Sequence, residues 1–186
     1  MINADDFYGS DAYVQAAEFL TNTPDDATKS HYALVGYKIT NTLSDHGSVN
    51  RGICECQNGL LQSVAEVVEI ARKSEVEISG RSLDGSSCLV DEDAIVSMNL
   101  WCFPQSFLEQ IEIHFTNFLK ERINEEKSEC YIPTVVDNLI REGSIDCHVL
   151  ETISSWFGVT YPEDKPHVVL SIQALVDAGF YPTPLA

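Results

Sequence analysis

The feature that most restricts this chain is a hairpin. Gly52-Ile53-Cys54-Glu55-Cys56 runs into Gln57-Asn58-Gly59-Leu60, and a return strand follows from Leu60 to Ile70. Asn-Gly favours positive φ at both central positions of a type I′ turn, the turn whose twist matches two antiparallel strands. The neighbouring segments alternate in kind. His31–Thr40 is rich in β-branched and aromatic residues and reads as a strand. Ala94–Phe103 is almost wholly apolar and suits a strand buried on both faces. Ile145–Thr152 and Ser155–Thr160 read as further strands, and the segment before Asp5 as a short opening one. Arg72–Glu92 is charged and turn-rich, a surface excursion with one or two short strands.

Four helices are expected between them. Ser10 can cap the first, whose apolar positions include Tyr13, Ala16, Ala17 and Leu20. Pro104 opens the second, with a stripe of Phe107, Leu108, Ile111, Phe115, Phe118, Leu119 and Ile123. Pro133 starts the third, with Val135, Val136, Leu139 and Ile140 inside and Gly143 as its stop. Pro166 opens the fourth, which Gly179 ends, and the tail from Phe180 to Pro184 is extended. Strands alternating with helices around a hairpin predict an α/β fold with a mixed sheet, and 186 residues suffice for a single domain over 1–186.

The net charge of −18 argues against nucleic acid and against an anionic membrane surface as partners. A phosphate ligand would need local help from a divalent cation, a few placed Lys or Arg, or backbone N–H groups. The six cysteines include no C-x-x-C pair, so they read as free thiols of a reducing, cytoplasmic compartment rather than as a zinc site or disulfide framework. No basic signal segment is visible, and no apolar run approaches ~18 residues.

Candidate functional groups are scattered. Asp5 and Asp6 follow a short apolar start, as at the carboxyl edge of a sheet where ligands bind. On a continuing strand they point to opposite sides, so one at most is aimed at a shared site. Arg51 beside Gly52 reads as a solvated arginine at a turn. Glu66 falls among Val64, Val67 and Val68, and Asn99 interrupts an apolar strand, where a buried amide needs partners. Trp156–Pro166 brings aromatics, Asp164 and Lys165 to a helix N-terminus, a place that attracts anions. Asp164 also reads as that helix's cap.

Asn3–Gly9, the hairpin, Val96–Trp101, Tyr131–Val136, Trp156–Tyr161 and Glu163–Pro166 together resemble the sugar-phosphate nucleotidyltransferases, in order and through nearly all of the chain. The resemblance implies a nucleotide-diphospho-sugar transferase fold, an α/β/α layering of a mixed sheet. It implies that a sugar 1-phosphate attacks the α-phosphorus of a nucleoside triphosphate and that pyrophosphate leaves, with Mg²⁺ on the phosphates. Asp5 then matches the metal-binding aspartate, Gly52 the glycine whose backbone lies against the sugar, and Glu66 the glutamate that holds sugar hydroxyls. Asn99 stands at a sugar-pocket position that is often glycine in the family, and Lys165 is a candidate for an anionic substrate group. The family's second metal-binding aspartate would fall at Gly158, with Asp164 as a candidate substitute. The family also has a glycine-rich phosphate loop in roughly a hundred residues that would precede Asn3. Without it the chain is expected to lack the first strands, to expose apolar sheet edges and to be inactive alone. Two other readings are a binding or assembly module, as a homo-oligomer or paired with the missing front half, and a nucleotide-sugar-dependent glycosyltransferase.

Overall fold

A computed structural model describes residues 1–24, 29–44, 46–159 and 161–181. It is a mixed α/β structure. Helix α1 spans Ser10–Asn22, followed by β1 (Ser30–Lys38), a 3₁₀ turn at Ile39–Asn41, β2 (Val49–Gln57) and β3 (Leu60–Ser74). Then come β4 (Glu77–Ser82), β5 (Ser87–Val90), β6 (Ile95–Cys102), α2 (Phe107–Arg122), α3 (Ile132–Arg141), β7 (Ile145–Glu151) and α4 (Asp164–Asp177).

The hairpin forms as its turn dictates. Asn58 and Gly59 take φ of 53° and 77°, and β2 pairs antiparallel with β3 from Gln57↔Leu60 to Val49↔Ile70. The sheet order is β2-β6-β1-β7-β3-β4-β5. Because β2 also pairs with β3, the five strands β2, β6, β1, β7 and β3 close into a barrel. β1 and β7 are parallel and the other neighbours antiparallel, so the sheet is mixed as expected. The seam between β3 and β7 is thin, a single pair Leu60↔His148 with Val149 N–H donating to Gly59 O at 2.9 Å. The open apolar edges expected of the sheet are thus largely taken up by closure. β4 and β5 run outward from β3 and leave β5 as a free edge, with Leu89 exposed there.

Alternation along β1 sends side chains to two separate cores. Ala33, Val35 and Tyr37 join Val67, Ile70, Val96 and Met98 under Ala12 and Ala16 of α1. Tyr32 and Leu34 join Leu61, Val64 and Trp101 under Val135, Val136 and Leu139 of α3. Each fully buried aliphatic side chain contributes about 1.5–3 kcal/mol.

Five expectations are corrected. The opening segment forms no named strand, although Met1 O accepts from Trp101 N–H at 3.0 Å, because the chain turns at Ala4–Asp5. Ser10 is the first residue of α1 and does not cap it; Gly9 precedes it. Ser155–Val159 is an irregular segment with one bridge, Phe7↔Phe157, and Thr160 lies outside the described residues. The stripe of α2 is mostly solvent-facing: only Phe107 is buried, while Leu108, Phe115 and Ile123 are exposed. α4 also begins two residues before Pro166. Pro182–Pro184 of the expected tail lie outside the described residues. Cys102 and Cys147 are buried and all six thiols are free.

Candidate functional site

The Asp5–Asp6 segment is braced from within. Asp5 is exposed at the turn. Asp6 is half-buried, and its Oδ2 accepts from Asn3 Nδ2 at 2.9 Å and lies 3.3 Å from the Tyr8 hydroxyl. That hydroxyl accepts from Asn3 N–H at 3.1 Å and donates to Met98 O at 2.8 Å, and burial raises its pKa. Phe7 and Phe157 exchange backbone hydrogen bonds of 3.0 and 3.2 Å, and their rings stack at 4.3 Å. This bridge sets the first segment against the Trp156 segment. A Cβ added at Gly158 would sit 2.8 Å from Asp6 Oδ1. Asp6, rather than Asp5, therefore occupies the space beside Gly158.

A second group forms where β2, β3 and β6 meet. Gly52 pairs with both Glu66 and Ser97. A Cβ at Gly52 would lie 3.0 Å from Val64 Cγ2, 3.3 Å from Ser97 Cβ and 3.8 Å from Glu66 Oε2. Burial pushes the Glu66 carboxyl above its ordinary range; Arg51 opposes this and Glu129 adds to it. Asn99 takes φ of 62° where the β1–β6 ladder shifts register, and its N–H donates to Ser97 Oγ at 3.2 Å. Asn tolerates this left-handed region better than other residues with a side chain. Asn99 thus has a backbone reason to interrupt an apolar strand.

Arg51 links the two groups. Instead of being solvated it is 8% exposed. Nε donates to Thr42 Oγ1 at 3.2 Å, Nη1 to Asn50 O at 2.8 Å and Nη2 to Thr42 O. Its guanidinium carbon lies 4.9 Å from the Trp156 ring centroid, within cation–π range. Burial lowers its pKa to about 10, while the charges of Asp6 and Glu66 act in the opposite direction.

Asp164 and Lys165 do not join these groups. Asp164 Oδ2 accepts from Tyr161 N–H at 2.8 Å and Oδ1 from Ser44 Oγ at 3.1 Å, while Asp164 N–H returns to Tyr161 O at 3.0 Å. Asp164 is the first residue of α4 and not its cap, which is Glu163, so the cap reading of Asp164 is corrected; its carboxylate instead ties the Tyr161 and Ser44 segments to the helix start. Lys165 is exposed on the first turn of α4.

No cluster of three His, Cys, Asp or Glu side chains converges among the described residues. Mg²⁺ needs less from a protein, since one or two carboxylates can hold it alongside substrate phosphates and water. Asp6 Oδ1 accepts no hydrogen bond among the described residues and Asp5 is exposed, so these are the carboxylates of the segment left open to an ion held mainly by substrate and water. Asp164, with both oxygens engaged, is not left open in this way. Sequence reasoning missed Ser97, which is buried between Gly52 and Asn99, and the burial of Arg51. The cross-strand pairing that would have shown Ser97 is set by the register of β6 against β2, which no local motif carries.

No helix among the described residues is long and apolar enough to cross a membrane. No protein-family model matches this sequence, and no curated protein matches it.

Proposed function

We propose that this chain carries the sugar side and one metal-binding segment of a nucleotidyl-transfer site. In that reaction a sugar 1-phosphate oxygen attacks the α-phosphorus of a nucleoside triphosphate, and pyrophosphate leaves. The observation that supports it best is the meeting of Asp6 with Gly158. Two segments about 150 residues apart in sequence, each expected to face the metal, lie against each other, and a carboxylate fills the space beside the glycine. Asp6 and Asp5 would hold Mg²⁺, which when bound supplies Lewis-acid charge stabilisation on the phosphates. Glu66 accepts hydrogen bonds from sugar hydroxyls. Gly52, buried between Val64 and Ser97, lets the strands close beside Glu66 rather than facing the ring, and Asn99 lies on the adjoining strand β6. The reading also assigns the fold to the nucleotide-diphospho-sugar transferase type. Helices packed on both faces of a mixed sheet support that assignment, and the closed seam is its main departure.

On this reading the described residues hold the sugar phosphate, and none of the segments assigned above supplies the backbone N–H cradle that a triphosphate needs. The test is calorimetric titration with glucose 1-phosphate and related sugar 1-phosphates, with and without Mg²⁺, beside a pyrophosphate-release assay. Saturable binding is expected, weakened at least about tenfold by Glu66→Ala. Asp6→Asn should remove its Mg²⁺ dependence, and no pyrophosphate should appear. Absence of saturable binding, or binding indifferent to Glu66→Ala, would overturn the assignment.

A further inference from the structure

One cavity among the described residues is lined by neither Gly52 nor Glu66. It holds about 880 Å³ between the Thr40–Ser44 turn, the Trp156 segment and α4. That size lies within the range of pockets that enclose small molecules. Arg51 is in its wall, and the fit of the side chain there is unusual. A buried guanidinium is normally matched by a carboxylate. Arg51 has no ion-pair partner among the described residues, and its three hydrogen bonds go to neutral oxygens of Thr42 and Asn50. A guanidinium has five N–H groups, so about two remain unassigned. Asp6 and Glu66 act on it only from beyond contact distance. The Trp156 ring lies against the group on one side, its centroid 4.9 Å from the guanidinium carbon.

The other charges in the wall are already engaged. Asp11 accepts from Thr152 Oγ1 at 2.6 Å and from Ile153 N–H at 3.2 Å, and Asp164 accepts from Ser44 and Tyr161. Arg72 is paired with Glu92 at 2.8 Å. Arg51 is thus a desolvated positive charge with no ion-pair partner among the described residues, in the wall of a roomy cavity whose remaining surface includes Phe157, Val168, Leu175 and Phe180.

We infer that this cavity binds a small oxyanion-bearing molecule with an apolar body, the oxyanion on Arg51 and the body against the aromatic and α4 walls. Phosphate monoesters and carboxylates share the planar or tripod oxygen geometry that a guanidinium fork recognises. The cavity shares Phe7, Trp156 and Gly158 with the segments assigned above to the metal, but the oxyanion contact on Arg51 does not need the sugar 1-phosphate reading. It uses neither Mg²⁺ nor Glu66.

The experiment titrates the whole chain with phenyl phosphate, benzoate and inorganic phosphate in Mg²⁺-free buffer, followed by calorimetry and by ¹⁵N–¹H spectra of the Trp156 indole. Saturable binding of phenyl phosphate or benzoate is expected, with the Trp156 resonance shifting; which of the two binds tighter identifies the oxyanion. Arg51→Gln should weaken that binding at least tenfold and Arg51→Lys less. Arg51 also ties down Thr42, so Ser171→Phe, which fills the cavity from α4, provides a second variant; it should abolish binding while thermal unfolding stays near that of the parent. The inference is overturned if neither aromatic ligand saturates, if inorganic phosphate binds as tightly as both, or if Ser171→Phe leaves binding unchanged. Such a failure leaves the sugar 1-phosphate titration, with its Mg²⁺ and Glu66 dependence, unaffected.

Discussion

At the scale of single residues, backbone conformation separates roles that composition leaves open. Asn99 sits at φ of 62°, which costs about 1–2 kcal/mol for a residue with a branched side chain and little for glycine. Asn99→Gly should stay within about 0.5 kcal/mol of the parent in urea unfolding, and Asn99→Val should lose about 1–2 kcal/mol. Equal stabilities would remove the conformational explanation. Glu66 makes a prediction in pH. Burial raises its carboxyl pKa in the folded state, so the folded protein holds that proton more tightly than the unfolded chain. Stability from this group is complete at pH below the ordinary glutamate value. It declines as pH rises through the raised one. Glu66→Gln removes the decline, so its melting temperature relative to the parent should climb between about pH 4 and pH 7 in scanning calorimetry. The site was legible in sequence as a set of odd polar residues: Glu66, Asn99 and the Asp5–Asp6 pair all stood out. Which aspartate faces Gly158 was not legible. Strand alternation gives opposite directions for neighbours, but the chain turns at Ala4–Asp5 and cancels that phase.

At the scale of elements, a helical stripe tells that a helix forms but not what covers it. α3 and α2 both show one. Leu139 of α3 is 1% exposed, whereas Leu108 of α2 is 65% exposed. Leu139→Ala should cost about 2–5 kcal/mol by the usual transfer and cavity terms. Leu108→Ala should stay within about 0.5 kcal/mol, as surface changes do. Urea midpoints of the two variants check both. A large loss at Leu108 would mean that α2 packs more deeply than its exposure indicates. The hairpin, β1, β6 and α3 were legible because turn chemistry and alternation are local. The expected strand at Ser155–Thr160 was not, because its apolar and aromatic residues serve a single bridge to Phe7 and a stack on its ring. Periodicity cannot distinguish a ladder from one such contact.

At the scale of the whole molecule, the net charge of −18 and the closed sheet set different limits. Most of the ion pairs are exposed at the surface and contribute little. Self-repulsion among the carboxylates is then the larger electrostatic effect on stability. Raising NaCl from about 20 to about 300 mM shortens the screening length several-fold and should raise the melting temperature by a few degrees. A fall would mean that the ion pairs outweigh the repulsion. Closure itself was invisible in the sequence, since it rests on partners far apart: Ser30 with Ile145, Gly52 with Ser97, Leu60 with His148. That arrangement also sets an order of events during synthesis. β7 is the last strand of the ring to leave the ribosome, and it fits between β1 and β3, both made many residues earlier. Until it emerges, β1 presents an unpaired row of amides and carbonyls to solvent on the side that β7 later covers. Folding to the ring is therefore a slow, non-local step in the millisecond-to-second class of high-contact-order proteins, on the order of the times known for such topologies. A nascent chain stalled before Ile145 is the form in which this protein is most exposed to strand-to-strand aggregation.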